Sequence, residues 1–145
     1  MESKPQFKFF IVDDDIFCAN IYEQYLLNQD FTDVTHFSNG NDCLDNLDLN
    51  PDIIFLDYDM GDLSGFEVLK KIKHQNPNIY VVMVSGQENI VIAVDALKHG
   101  AFDYVVKDNA VCEKLTNIID KIHHVKIALN KSNPNIAKRL LNIFL

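Results

Sequence analysis

Five short apolar runs punctuate the chain: FKFFIV (7–12), DVTHF (33–37), DIIFL (52–56), IYVVMV (79–84) and FDYVV (102–106). The third and fourth are almost wholly apolar and rich in Ile and Val, the pattern of strands covered on both faces. The second alternates more and suits a sheet edge. Between the runs, apolar residues recur at helical spacing. Residues 16–28 place Phe17, Ile21 and Tyr25 on one face, and residues 40–48 form a short segment with Cys43, Leu44 and Leu47. Residues 64–75 carry Val68, Leu69 and Ile72 and open with Ser64-x-x-Glu67, a capping box. Residues 88–99 carry Ile90, Val91, Val94 and Leu97 and stop at Gly100. Residues 110–129 carry Leu115, Ile118, Ile119, Ile122, Val125 and Leu129, with Asn109 as the predicted N-cap. Strand and helix therefore alternate five times, which predicts a doubly wound α/β fold, a parallel sheet with helices on both faces.

The one break in composition is NKSNPN (130–135). After it, Ile136, Leu140 and Ile143 or Phe144 share a stripe, and Asn133-Pro134 reads as an N-cap and first helical residue. The expected organisation is one domain over 1–129 and a C-terminal extension over 130–145, a short sixth helix. At 145 residues the chain is long enough to bury a core. Its 13 basic and 21 acidic residues give a net charge of −8, which argues against a broad basic face for nucleic acid. No apolar run reaches the ~18 residues a bilayer span requires. The opening MESKPQ lacks a signal pattern, so a cytoplasmic location is expected. Cys18, Cys43 and Cys112 form no C-x-x-C pair and read as reduced thiols. The five histidines show no metal-ligand spacing.

The candidate chemistry gathers where the apolar runs end. Asp13, Asp14 and Asp15 follow the first, Asp57 the third, Ser85 and Gly86 the fourth, and Lys107 the fifth. In an open α/β sheet, ligands bind outside the carboxyl ends of the strands, so these residues are expected to converge. Two carboxylates from 13–15 together with Asp57 invite a hard divalent cation. Mg²⁺ suits a half-open acidic corner because it takes one or two carboxylates and keeps several waters. A lysine and a hydroxyl at the same corner would receive phosphoryl oxygens, and a glycine beside them would let the chain approach closely. Carboxylate, metal, lysine and hydroxyl together describe phosphoryl transfer to an aspartate.

The segments IVDDD, PDIIFLDYDMGDLSGFEVLKKIK, VVMVSG and LKHGAFDYVVK, in this order and spacing, resemble a response-regulator receiver domain of two-component signalling over roughly residues 7–127. The resemblance implies a flavodoxin-like five-stranded sheet in the order 2-1-3-4-5. It also implies Asp57 as the phosphoacceptor, with Asp13, Asp14, Asp57 and the backbone carbonyl of Asp59 around Mg²⁺. Ser85 and Gly86, Lys107 and Tyr104 would contact the phosphoryl group or switch with it, while Asp59 and Gln87 would tune its lifetime. Asp15 would be an extra residue at the start of a helix, favoured by the helix dipole. Such a domain takes its phosphoryl group from a sensor histidine kinase or a histidine phosphotransfer protein. It signals to a downstream protein and is no enzyme beyond assisting its own phosphorylation and dephosphorylation. Neither nucleic acid nor membrane is expected to bind. A homodimer would use the C-terminal helix or the face of the fourth helix, fifth strand and fifth helix.

Two positions depart from the family pattern: Gly61 and Asp108 stand where proline is usual. The second predicts either a trans Lys107–Asp108 peptide or a strained one, since a non-proline cis bond costs about 3 kcal/mol. Two rival functions share the motif. A pseudo-receiver would bind partners without turnover. A haloacid-dehalogenase-like phosphatase also uses Asp-x-Asp after a strand, as in Asp57-x-Asp59, but usually on its first strand and with a substrate-closing cap. A calcium loop starting at Asp57 fails, because its glycine position holds Asp62 and its final glutamate position holds Val68.

Overall fold

The order of elements follows the apolar runs closely. The computed structural model describes residues 5–61 and 63–131. Strands β1 (Lys8–Val12), β2 (Asp33–Phe37), β3 (Ile53–Asp57), β4 (Tyr80–Ser85) and β5 (Asp103–Val106) alternate with helices α1 (Ile16–Asn28), α2 (Gly40–Asp45), α3 (Gly65–Gln75), α4 (Ile90–Lys98) and α5 (Val111–Lys131). All strand pairs are parallel, in the order β2-β1-β3-β4-β5. β2 is an edge strand, as its mixed pattern predicts. Of the extension expected over 130–145, Asn130 and Lys131 instead continue α5, and the rest lies outside the described residues.

Side chains alternate across the sheet, but both faces are buried, so β1, β3 and β4 read as continuous apolar runs. Phe9, Ile11, Phe55, Val82 and Val84 face α1 and α5, packing on Ala19, Tyr22, Leu26, Ile118 and Ile122. Phe10, Val12, Ile54, Leu56 and Met83 face α2, α3 and α4, packing on Cys43, Val68, Leu69, Ile72 and Ala96. Each large buried side chain contributes roughly 1.5–3 kcal/mol of transfer free energy.

Helix ends are set by identifiable caps. Ser64 Oγ accepts from Glu67 N at 3.3 Å, the first half of the predicted capping box. Gly100 ends α4 at φ +101°, a conformation that favours glycine. The segment predicted as one helix over 40–48 divides into α2 and a 3₁₀ turn at Leu47–Leu49. Between them Asn46 donates its side-chain amide to the Asp42 carbonyl at 2.8 Å, and such local bonds compete with a continuing helix. At the start of α5 the capping contact belongs to Asp108, which accepts from Ala110 N at 2.9 Å, rather than to Asn109.

Two apolar stripes share a face as predicted but turn it outward. In α1 the buried residues are Ala19, Tyr22 and Leu26, whereas Phe17 is 72% exposed and Ile21 is also exposed. In α4 only Ala96 is buried, and Ile90, Val91, Val94 and Leu97 are exposed. Both helices set alanine against the sheet, where small side chains permit close approach.

Candidate functional site

Strand register brings the polar ends together. Val12 pairs with Leu56, Asp57 with Val84, and Ser85 with Val106. Asp13, Asp57, Ser85 and Lys107 therefore stand side by side along the carboxyl edge of the sheet. Asp13 (1% exposed), Asp57 (3%) and Ser85 (0%) are the buried polar residues among those described. Asp14 is exposed at the mouth. Carboxylate oxygens of Asp13, Asp14 and Asp57 lie within 4.8 Å of one another. At an effective dielectric of about 20, each such pair repels by roughly 3 kcal/mol.

Among the described residues Lys107 is the cation set against this repulsion. Lys107 Nζ lies 3.0 Å from Asp13 Oδ2 and 3.2 Å from Asp57 Oδ1. Burial pushes the Asp57 carboxyl up, the negative charge of Asp13 adds to that, and Lys107 opposes both; the result is a pKa of about 7. Burial works against the charge on Lys107, but its hydrogen bond to Asp13 and the charge of Asp57 outweigh it and raise its pKa. Three carboxylates against one ammonium leave an excess of negative charge, and a half-open cluster of oxygen donors fits Mg²⁺.

Neighbouring groups hold the carboxylates in place. Asp15 N donates to Asp13 Oδ1 at 2.8 Å, Asp59 N to Asp57 Oδ1 at 3.2 Å, and His36 Nε2 meets the Asp13 carbonyl oxygen at 2.9 Å. Asp15 itself caps α1, accepting from Phe17 N at 2.9 Å and Cys18 N at 3.4 Å. Its hydrogen bonds with Cys18, then that with Phe17, hold its carboxyl below the usual range. The acidic triplet thus divides its work. Two carboxylates face the notch and the third begins a helix.

The expected switch residues form a second cluster. Ser85 Oγ accepts from Gln87 N at 3.1 Å and lies 3.4 Å from the Asp59 carboxylate rather than against Asp57. Gln87 Nε2 reaches Asp59 at 3.3 Å, and Tyr104 donates its hydroxyl to the Gln87 carbonyl at 2.6 Å. At Gly86 a Cβ would meet no protein atom within 4 Å. Lys107 N donates to the Ser85 carbonyl at 2.7 Å, which ties the lysine to β4. The Lys107–Asp108 peptide is trans. Asp108 turns away from the notch to pair with Lys114 at 2.7 Å.

Gly65 is the site residue that sequence reasoning missed. Gly65 N donates to the Tyr58 carbonyl at 3.1 Å. A Cβ at Gly65 would overlap the Asp57 carbonyl oxygen and come within 2.7 Å of Tyr58 Cα. The start of α3 therefore presses on the backbone that carries Asp57. Gly65→Ala is expected to cost about 1–3 kcal/mol by overpacking, read as a lowered urea midpoint with an unchanged slope.

A sequence model of the response regulator receiver domain matches residues 9–120. The chain belongs to the response regulator receiver domain family. Among relatives of this receiver, the chemotaxis protein CheY of Listeria monocytogenes is 35% identical over 101 residues, covering 69% of this chain and 85% of that protein. The regulatory protein LuxO of Vibrio cholerae is 30% identical over 132 residues, covering 86% of this chain. The receiver spans only 28% of the length of LuxO. Among solved structures, a complex of CheX with CheY, BeF₃ and Mg²⁺ from Borrelia burgdorferi aligns with a TM-score of 0.75 at 25% identity, over 81% of this chain and 89% of that one. The receiver fold accounts for the 2-1-3-4-5 sheet. Among the described residues, no helix is long and apolar enough to cross a membrane.

Proposed function

We propose that this receiver accepts a phosphoryl group on Asp57 from a phosphohistidine of a sensor kinase or phosphotransfer protein. The observation that carries this reading is the buried Asp57 carboxylate with the Lys107 ammonium 3.2 Å away and Asp13 and Asp14 beside it. An Asp57 carboxylate oxygen attacks phosphorus, the P–N bond breaks, and the imidazole leaves with the electron pair. Asp13, Asp14, Asp57 and the Asp59 carbonyl would hold Mg²⁺, which when bound neutralises charge on the phosphoryl oxygens. Lys107 stays protonated and receives a further oxygen. Ser85 leaves the Asp59 carboxylate to donate to another, and Asp59 and Gln87 tune the lifetime of the acyl phosphate. Loss of the Ser85 and Gln87 contacts to Asp59 would free the Gln87 carbonyl that anchors Tyr104, a two-state shift biased by new charge pairs.

The outward stripe of α4 (Ile90, Val91, Val94 and Leu97) lies on the face that this shift would change. It is a surface for a downstream protein or a second copy. This reading takes residues 1–129 as the receiver and 130–145 as an appended segment. It places the protein in the cytoplasm, supported by the free thiols of Cys18, Cys43 and Cys112.

Incubation with phosphoramidate and Mg²⁺ is expected to add one phosphoryl mass to the intact protein, with none added to Asp57→Asn or in excess chelator. Retained labelling of Asp57→Asn would refute the assignment. Steady turnover of a small phosphoester would indicate the phosphatase, and the absence of both activities the pseudo-receiver.

A further inference from the structure

At the opposite end of the sheet, the amino-terminal ends of β3, β4 and β5 leave a cavity of about 350 Å³. That is the lower end of the roughly 300–1,000 Å³ range of small-molecule sites. Tyr80 and Phe102 line it with their rings 5.5 Å apart and nearly perpendicular. The last turns of α5 add Val125 and Leu129, and Lys73 and Lys126 supply the charge. None of the phosphoryl-site residues lines this cavity.

Lys73 is held there by backbone carbonyls. Its ammonium donates to the carbonyls of Pro77 at 2.6 Å and Ile79 at 2.9 Å. Its stem lies against Gly100, where a Cβ would come within 3.0 Å of Lys73 Cε. Neutral carbonyls orient an ammonium but do not cancel its charge. Burial depresses its pKa, as expected for a cation removed from water. Among the described residues no carboxylate pairs with it. Among the described lining residues the one carboxylate, Asp52, is already committed to Lys126 at 3.1 Å and to Lys8 N at 2.8 Å. Among the described residues the cavity therefore carries a positive charge that no carboxylate offsets, beside the ring of Tyr80, on a chain whose net charge is −8.

We propose that this cavity binds a small planar monoanion of the aromatic carboxylate class, its carboxylate on Lys73 and its ring against Tyr80, Val125 and Leu129. A half-buried ammonium with spare donor capacity gains from a charge-assisted hydrogen bond, and apolar walls favour a flat ring over a hydrated inorganic anion.

The test uses the full chain and two probes of the same shape, 1-naphthoate and its neutral carboxamide. Both are titrated while backbone amide shifts are followed. Naphthoate is expected to give saturable shifts at residues 76–80, 102 and 125–130, and to bind at least tenfold more tightly than the carboxamide. Lys73→Met keeps the stem and removes the charge, and should bring the two affinities together while labelling at Asp57 is unchanged. Equal binding of the two probes to the wild type would overturn the proposal, as would shifts scattered over the surface or none at the cavity. Should Lys73→Met fail to fold, the comparison of probes on the wild type still decides.

Discussion

Lys107→Met is expected to lower the stability of the metal-free protein by on the order of 3–5 kcal/mol, the cost of breaking a buried ion pair by removing one partner. Among the described residues, the substitution leaves the buried carboxylates of Asp13 and Asp57 with no cation against them. Methionine preserves most of the stem volume, so the loss measures charge rather than packing. The variant should answer by keeping Asp57 protonated to a higher pH than the wild type, since Lys107 is what holds its carboxyl down. A dication in the notch supplies the missing charge. Addition of Mg²⁺ should therefore recover more stability in Lys107→Met than in the wild type, as measured by urea unfolding with and without the ion. A loss below about 1 kcal/mol, the size of an exposed pair, would show that the notch is wetter than its burial implies.

Asp57→Asn is expected to act in the opposite direction, stabilising the metal-free protein at pH 8 by on the order of 3 kcal/mol. The folded-state pKa of Asp57 is about 7, above its ordinary 3.8. A carboxyl raised in this way contributes stability that is fully present below about pH 4 and is lost as pH rises through 7. Asparagine has no proton to lose, so its advantage should be small at pH 5 and full at pH 8. Unfolding curves of the two proteins at both pH values, in chelator, check the sign. Mg²⁺ should narrow the gap by stabilising the wild type more. An asparagine variant less stable than the wild type at pH 8 would mean that Lys107 more than compensates the burial of Asp57.

Much of this site was legible because strand ends are legible. The strands end at Val12, Asp57, Ser85 and Val106, each within one residue of the end of its apolar run, and parallel register does the rest. Which way a helix faces was harder to read. Periodicity shows that Phe17 and Ile21 share a side of α1, but not which side meets the sheet, and the sheet takes Ala19, Tyr22 and Leu26 instead. The same holds in α4, where Ala96 is buried beneath an exposed stripe. Gly65 carried no local signal at all. Its need arises from contact with the Asp57 carbonyl, a tertiary fact, while the capping box around it reads equally well with other residues there. The place of Asp108 rested on side-chain hydrogen bonding, since either Asp108 or Asn109 could begin α5 by residue type, and Asp108 wins by also reaching Lys114.

The most direct measurement of the central claim is the position of the phosphoryl group. After labelling with phosphoramidate and Mg²⁺, the protein is treated with borohydride, which reduces an acyl phosphate, and the peptides are mapped by mass. A receiver built around this notch predicts reduction at Asp57 alone. Reduction at Asp13 or Asp14 with Asp57 untouched, or a stable phosphoryl group on serine or histidine, would contradict it.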